Sequence, residues 1–470
     1  MLVDMAGSEG ESKGNAPLLF VGVQSGAVRA LEALDRSAVV LVAEGAQAPD
    51  HERVTAAGAI DLHGAFEPIL GTARELLGGR PPAAVVALAE RSVSVAARLR
   101  EAFGLPGNSP TAALRCADKV EMKRAMGRAG VAVAPWREVG SGTRADELVE
   151  ALGLPVVLKP RRDSGGRGQS KLESAAAVAE CLEEVARTDT FDTAYGWLAE
   201  GWVEGVEMSI ESFLADGATL LENPTEYYVL RHANILPAVL DARTWSEVRD
   251  LNQRALAAAG VTRGITHLEL FRTARGPVFG ELAARPPGGR LMTLLRRAWG
   301  FDPWRALLRL ELGEELTLPQ APKRTAGVWV LYPGAGQVKR IDGLEAARAT
   351  PHVRRIALKV GPGDSIGDRV ASGVDVGSIH AEGPDRDTVA EALRTAHARL
   401  VIHTEPRGEL SEPRGESPEP RGELPEPRGE SPEPRGESPR AKGDSPEPEG
   451  ESPKSKGESP EPRGESTRSP

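Results

Sequence analysis

Aromatic side chains are scarce in this sequence, 4% of 470 residues, and cysteine is scarcer still, with two. Cys116 and Cys181 stand far apart, which excludes a thiolate metal cluster and a disulfide framework and fits a reducing compartment. No stretch reaches the roughly 18 uninterrupted apolar residues of a membrane span. Met1 to Ala16 is polar and rich in Gly, Ser and Glu, so it lacks the apolar region of a signal peptide. A cytoplasmic protein is expected. Basic excess is missing too: the formal net charge is -10, so neither a nucleic-acid nor a membrane partner is expected.

The acidic excess is unevenly placed. Thr404 to Pro470 carries 17 acids and 11 bases, a net of -6, which leaves -4 for the rest of the chain. The same segment holds 15 of the 37 prolines, and its apolar side chains are Leu410, Leu424 and Ala441 alone. Glycine recurs every seven residues from Gly408 to Gly464 in units close to Glu-Pro-Arg-Gly-Glu-Ser-Pro. Pro and Gly in each unit, with no apolar a/d pair, exclude a coiled coil. Such a segment cannot bury enough surface to offset its ordering entropy, so 404–470 is expected to be a disordered spacer, partly polyproline II. A dispensable repeat and a docking tether both remain open. Residues 1–16 are expected to be disordered as well.

About 400 residues are left to fold, a length that suits two to three domains. Leu18 to Val23, Val39 to Val42 and Ala84 to Leu88 read as buried parallel strands. Helices from Gln24 to Leu34 and from Ser92 to Phe103 alternate with them, which predicts an α/β layer. Gly22 and Gly26 do not make a Gly-x-Gly-x-x-Gly fingerprint, so a dinucleotide site is a poor match.

Asp118 and Glu121 have capping-box spacing at the start of a helix, and Lys119 between them has no such duty. Leu154 to Pro160 is a short strand whose alternation pairs Val156 with Leu158 on one face and Val157 with Lys159 on the other. Lys159 is either solvated or functional. Ser164-Gly165-Gly166-Arg167-Gly168 follows, and glycines let backbone N–H groups turn toward an anion. Trp197 to Ile210 reads as two strands joined at an acid- and glycine-rich segment, either a plain hairpin or a functional joint. Ile265 to Phe271 and Val278 to Ala283 form a hairpin with Ala274-Arg275-Gly276 at its turn. A three- or five-residue loop sets Glu269 directly opposite Glu281. Like charges across a ladder are unfavourable, so a cation between them is expected, the alternative being two exposed acids on a solvated face. Two carboxylates without histidine or thiolate ligands suit Mg²⁺, which takes its other oxygens from water and phosphate. Arg285 and Arg290 flank Pro286-Pro287-Gly288-Gly289, a placement that suits a carboxylate or phosphate.

In this order, these motifs resemble the ATP-grasp superfamily over roughly residues 17–403, in the carboxylate–amine ligase branch. The resemblance implies an α/β and α+β architecture: a Rossmann-like pre-ATP-grasp domain at 17–110, an ATP-grasp domain at 111–320 and a small C-terminal domain at 321–403. It implies that Lys119 and Lys159 contact ATP phosphates and that the loop of Ser164, Gly165, Gly166 and Gly168 covers them. Glu200, Trp202 and Val203 would hold adenine, partly through backbone, and Glu207 the ribose. Glu269 and Glu281 would bind Mg²⁺, as one or two ions, or Mn²⁺. Arg285 would stabilise the transferred phosphoryl group, with Lys159 also catalytic, while His232, Gly288 and Arg290 would lie on the substrate side. Many members carry Asn where Ala283 stands, and L-amino-acid ligases carry a small residue there followed by Ala-Arg, as in Ala284-Arg285. The implied activity is ADP-forming amide or peptide synthesis through an acyl phosphate. Its partners would be small-molecule carboxylates and amines, including an amino acid, and its assembly a homodimer. A biotin-carboxylase-like enzyme and a non-catalytic nucleotide-binding scaffold are the competing readings.

Overall fold

The computed structural model describes residues 16–163, 165–187, 196–369 and 375–405. Ser164 and nearly all of the two segments expected to be disordered lie outside these residues.

The N-terminal layer carries one strand more than the sequence predicts. Its parallel sheet runs Val54–Ile60, Ala38–Ala43, Leu18–Val21, Val85–Ala87 in spatial order. Leu19, Val21, Val39 and Leu41 face one core; Leu18, Phe20, Val40 and Val42 face the other. Both faces are covered, as a parallel sheet requires. The additional strand, Val-Thr-Ala-Ala-Gly-Ala-Ile, sits at the edge with alternate residues exposed. Its small side chains give no hydrophobic period to read.

Two of the antiparallel sheets that follow, of four and eight strands, position the site. The smaller runs Trp136–Val139, Trp197–Gly201, Val156–Pro160, Ser170–Leu172. It packs on helices Ala145–Leu152 and Ala175–Arg187 around Leu148, Leu158 and Val178. The larger has eight strands, in the order Gly276–Ala283, Gly264–Thr273, Val206–Ala215, Ala218–Val229, Ala233–Leu236, Thr325–Leu331, Gly377–Gly383, Val353–Leu358. Trp197–Gly201 and Val206–Ala215 therefore belong to different sheets, and the plain hairpin reading of this segment gives way to a joint formed by 202–205.

The segment expected as the small C-terminal domain shares the large sheet. Ala233–Leu236 pairs with Thr325–Leu331, which brings Gly377–Gly383 and Val353–Leu358 in behind it. The final strand, Val401–Glu405, pairs with Gly336–Asp342 and so runs past the boundary expected at His403.

Candidate active site

The helix Lys119–Arg128 is fixed at its start by Asp118. The Asp118 carboxylate accepts from the N–H groups of Val120 and Glu121 at 3.0 and 3.3 Å, the capping role its spacing predicts. It also receives the guanidinium of Arg161 at 2.9 Å, tying the helix to the end of the strand Val156–Pro160. On the helix, Lys119 and Lys123 stand four residues apart and share a face. Lys119 Nζ reaches Glu281 Oε1 at 3.1 Å and donates to the Asp163 carbonyl at 2.7 Å.

Lys159 points where alternation places it. In the ladder Val157 pairs with Glu200, so Lys159, two residues along, shares a face with that carboxylate. Lys159 Nζ lies 2.7 Å from Glu200 Oε2, and Lys123 Nζ lies 2.7 Å from Glu200 Oε1. Burial raises the Glu200 acid, but the two ammonium groups outweigh it and hold the carboxyl at about 2. Both Glu200 oxygens are thus engaged by lysines, and a ligand meeting residue 200 finds its backbone. Lys123 was not read from the sequence; its spacing from Lys119 was the available signal. Trp202 is exposed, with the Lys171 ammonium 4.2 Å from its ring centre, and Val203 is half-buried beside it.

Gly165, Gly166 and Gly168 take φ of +70°, +70° and +66°, values that a side chain would strain. The loop is therefore shaped by its glycines, as an anion nest requires.

Glu269 stands directly opposite Glu281, by a route that differs from the expected loop. The turn has two residues, Ala274 and Arg275, and a bulge at Gly280 restores the register. A Cβ on Gly280 would come within 3.0 Å of the Glu269 carbonyl oxygen. Like charge is offset from both sides. Lys119 meets Glu281, while Tyr227 Oη donates to Glu269 Oε1 at 3.0 Å and His267 Nε2 lies 3.4 Å from the same oxygen. Burial disfavours the Glu269 carboxylate, yet the hydrogen bond and charge of His267, with Tyr227 and Arg285, bring it down to about 2. His267 is raised to about 9: burial opposes the cation, and the Glu211 and Glu269 hydrogen bonds overcome that opposition. Glu211 is fully buried, 3.0 Å from His267 Nδ1, and accepts from Ser209, Asn223 and Thr225. This polar network beneath the acids was also unread, because its members are spread over three strands, Val206–Ala215, Ala218–Val229 and Gly264–Thr273. Glu207 pairs with Phe271 beside them; burial, then the Glu269 charge, raise it to about 7.

Among the described residues no group of three or more His, Cys, Asp or Glu is placed to hold a metal. The two-carboxylate set fits Mg²⁺ that takes its other ligands from phosphate and water. Ala283 is buried and offers no further oxygen ligand from its side chain. Arg285 Nε donates to Glu90 Oε2 at 2.7 Å, so the N-terminal layer orients this guanidinium. Arg290 begins the helix Leu291–Trp299 at φ +64°, just after Gly288 and Gly289, and its Nη2 lies 2.6 Å from Asp375 Oδ1. His232 faces Arg369, whose Nη1 is 3.1 Å from its Nε2; burial and then that charge lower its basicity. A surface cleft of about 700 Å³ around Asp241, Arg254 and Arg275 shares none of these residues.

Residues 124–296 match the ATP-grasp domain. The chain has the ATP-grasp fold. Residues 328–405 match L-amino acid ligase C-terminal domain 2. The chain is 27% identical over 342 residues to the uncharacterized protein y4rH of Sinorhizobium fredii, covering 72% of this chain and 71% of the relative. It is 23% identical over 343 residues to the L-arginine-specific L-amino acid ligase of Bacillus subtilis, covering 70% and 82%. The structure of L-amino acid ligase from Bacillus licheniformis superposes with a TM-score of 0.73 at 21% identity, over 83% of this chain and 99% of that one. Biotin carboxylase from Campylobacter jejuni superposes at 0.61 and 16% identity, over 83% and 92%. These likenesses establish the shared ATP-grasp fold. No helix among the described residues is long and apolar enough to cross a membrane.

Proposed function

We propose that this ATP-grasp ligase is an ADP-forming carboxylate–amine ligase that joins an amino acid to a second substrate through an acyl phosphate. The observation that carries the reading is the convergence of the opposed pair Glu269 and Glu281 with Lys119, Lys159 and Arg285. The L-amino acid ligase C-terminal domain and the Bacillus relatives support the amino-acid substrate.

The chemistry runs in two displacements. A substrate carboxylate oxygen attacks the γ-phosphorus of ATP, the bond to the bridging oxygen breaks, and ADP leaves with its electron pair. An amine nitrogen then attacks the acyl carbon, the acyl–oxygen bond breaks, phosphate leaves, and the amine proton passes to solvent or phosphate. No protein nucleophile is required, so the task falls to alignment and charge. Mg²⁺, when held by Glu269 and Glu281, supplies charge neutralisation at the phosphates. Lys119 and Lys159 align the phosphates, Arg285 meets charge on the transferred group, and the glycine loop excludes water.

Release of ADP and phosphate from MgATP, measured across amino acids singly and in pairs, tests the proposal. Glu281→Gln is expected to lower turnover by at least 100-fold with an unchanged circular dichroism spectrum; unchanged turnover refutes the metal assignment. ATP cleavage with bicarbonate and silence across amino acids moves the reading to a carboxylase. Nucleotide binding with no turnover moves it to a scaffold.

A further inference from the structure

The opposed acids of the site are each gripped through one oxygen. Lys119 lies 3.1 Å from Oε1 of Glu281, while Tyr227 Oη and His267 Nε2 lie 3.0 and 3.4 Å from Oε1 of Glu269. Among the described residues these contacts all fall on Oε1, which leaves Oε2 of both acids for another ligand. His267 differs from the other two neighbours because it stands on the same strand as Glu269, two residues away and on the same face. In the ladder it pairs with Glu211 on one side and with Ala283 on the other. Ala283 offers its ring no hydrogen bond from the side chain, whereas Glu211 Oε1 lies 3.0 Å from Nδ1. Glu211 is itself fixed. Ser209 Oγ donates to its Oε1 at 2.8 Å, and Asn223 Nδ2 and Thr225 Oγ1 donate to its Oε2 at 3.0 and 2.5 Å. Asn223 Oδ1 in turn accepts from Trp299 Nε1 at 2.8 Å, which ties the set to the far end of the helix Leu291–Trp299. Glu211 and its three donors are fully buried.

A carboxylate in this position is a poor device for stability alone. Taking it out of water costs its hydration, and apolar side chains of the same volume would hold three strands together as well or better. What the acid supplies is direction. With Nδ1 held at Glu211, the ring cannot turn about its side-chain torsions without losing that contact. Nε2, at the other edge of the ring, is thereby carried to Glu269. A carboxylate that rotates freely must be ordered when an ion arrives, whereas one already turned by a fixed neighbour loses little further freedom. A cross-link that served the strands alone would change stability and leave metal affinity untouched, and this difference can be measured.

We propose that His267, held from behind by Glu211, is a positioning residue that engages Oε1 of Glu269 and so leaves Oε2 to the metal ion of the nucleotide complex. The inference rests on the metal assignment made in the ligase reading, but its test reads nucleotide binding and needs no amide formation. The full chain is titrated calorimetrically with AMP-PNP in Mg²⁺ and, separately, in EDTA. The ratio of the two affinities measures what the protein-held ion contributes. His267→Asn keeps an amide near the place of Nδ1 and loses the reach to Glu269; His267→Gln sets its amide near the place of Nε2 and keeps that reach. The Asn variant is expected to lower the ratio by about 10- to 100-fold and the Gln variant by no more than about threefold, with affinities in EDTA within about twofold of wild type. Glu211→Gln keeps the volume but loosens the grip on Nδ1, and should lower the ratio by about 10-fold. It serves as the comparison if the Asn variant melts early. A wild-type ratio of one, an unchanged ratio in the Asn variant, or equal loss in the Asn and Gln variants overturns the proposal. So does an equal weakening in EDTA, which would mean damage to the nucleotide pocket as a whole. ADP release measured in parallel decides the ligase reading separately: the expected ratios without ADP release keep the positioning role and remove the chemistry.

Discussion

Replacing Glu200 with Gln tests whether the buried ion triad is both a stabiliser and the rest that holds Lys159. The variant keeps size and one acceptor but removes the charge between two ammonium groups, each 2.7 Å away. At that separation and an effective dielectric of about 20, each attraction is about 6 kcal/mol before desolvation. Desolvation cancels much of it, and removing one partner of a buried pair costs about 3–5 kcal/mol. The lowered pKa of Glu200, which has the same two lysines as its cause, corresponds to a similar figure. Glu200 sits at about 2 in the fold against an ordinary 4.5, which corresponds to about 3 kcal/mol at neutral pH. Because the folded value is depressed, this stability is fully present above pH 4.5 and is lost as pH falls toward 2. Denaturant titrations of wild type and Glu200→Gln at pH 7 and pH 3 should differ by about 3 kcal/mol at the first and by less than half of that at the second. The melting temperature should fall by about 5–10 °C at pH 7. Turnover should drop by about 100-fold through misplacement of Lys159. A stability difference below about 1 kcal/mol, or one that does not change with pH, refutes the triad as a stabiliser.

Three further outcomes are expected. Gly280→Ala pushes a methyl to within 3.0 Å of the Glu269 carbonyl and should raise the Mg²⁺ concentration needed for half-maximal ADP release by about tenfold, with a stability loss of about 1–3 kcal/mol. A chain ending at Glu405 should keep turnover within about twofold, because the last ladder ends there. One ending at His403 removes Thr404 and Glu405 from their pairing with Val338 and Gln337, and should melt lower by differential scanning fluorimetry. Tyr227→Phe deletes the 3.0 Å bond to Glu269 and should reduce turnover by about 10-fold, with the fold intact by circular dichroism.

The sequence by itself determined the parts whose signal is local. Period-two alternation set the faces of Lys159 and of Leu268 and Leu270, and capping chemistry set Asp118 at the start of its helix. The pairing of Glu269 with Glu281 was legible too, because register fixes every side chain on a strand, although the loop that achieves it is shorter and a bulge at Gly280 makes up the difference. The heptad-spaced tail lies outside the described residues, so its expected disorder rests on composition alone.

Only the tertiary structure decided what depends on chain crossings. Glu90 meets Arg285 across 195 residues, and Arg369 meets His232 across 137. No periodicity links such pairs; packing of separate sheets does. The joint at 202–205 could have been a hairpin turn, and pairing partners far along the chain assigned its two strands to different sheets. The C-terminal domain was legible in sequence, but not its attachment: hydrogen bonds between Ala233–Leu236 and Thr325–Leu331 join its strands to the large sheet. That continuity carries Arg369 and Asp375 to the edge of the site, a placement that sequence spacing does not encode because contacts in a sheet are set by which edges remain unpaired.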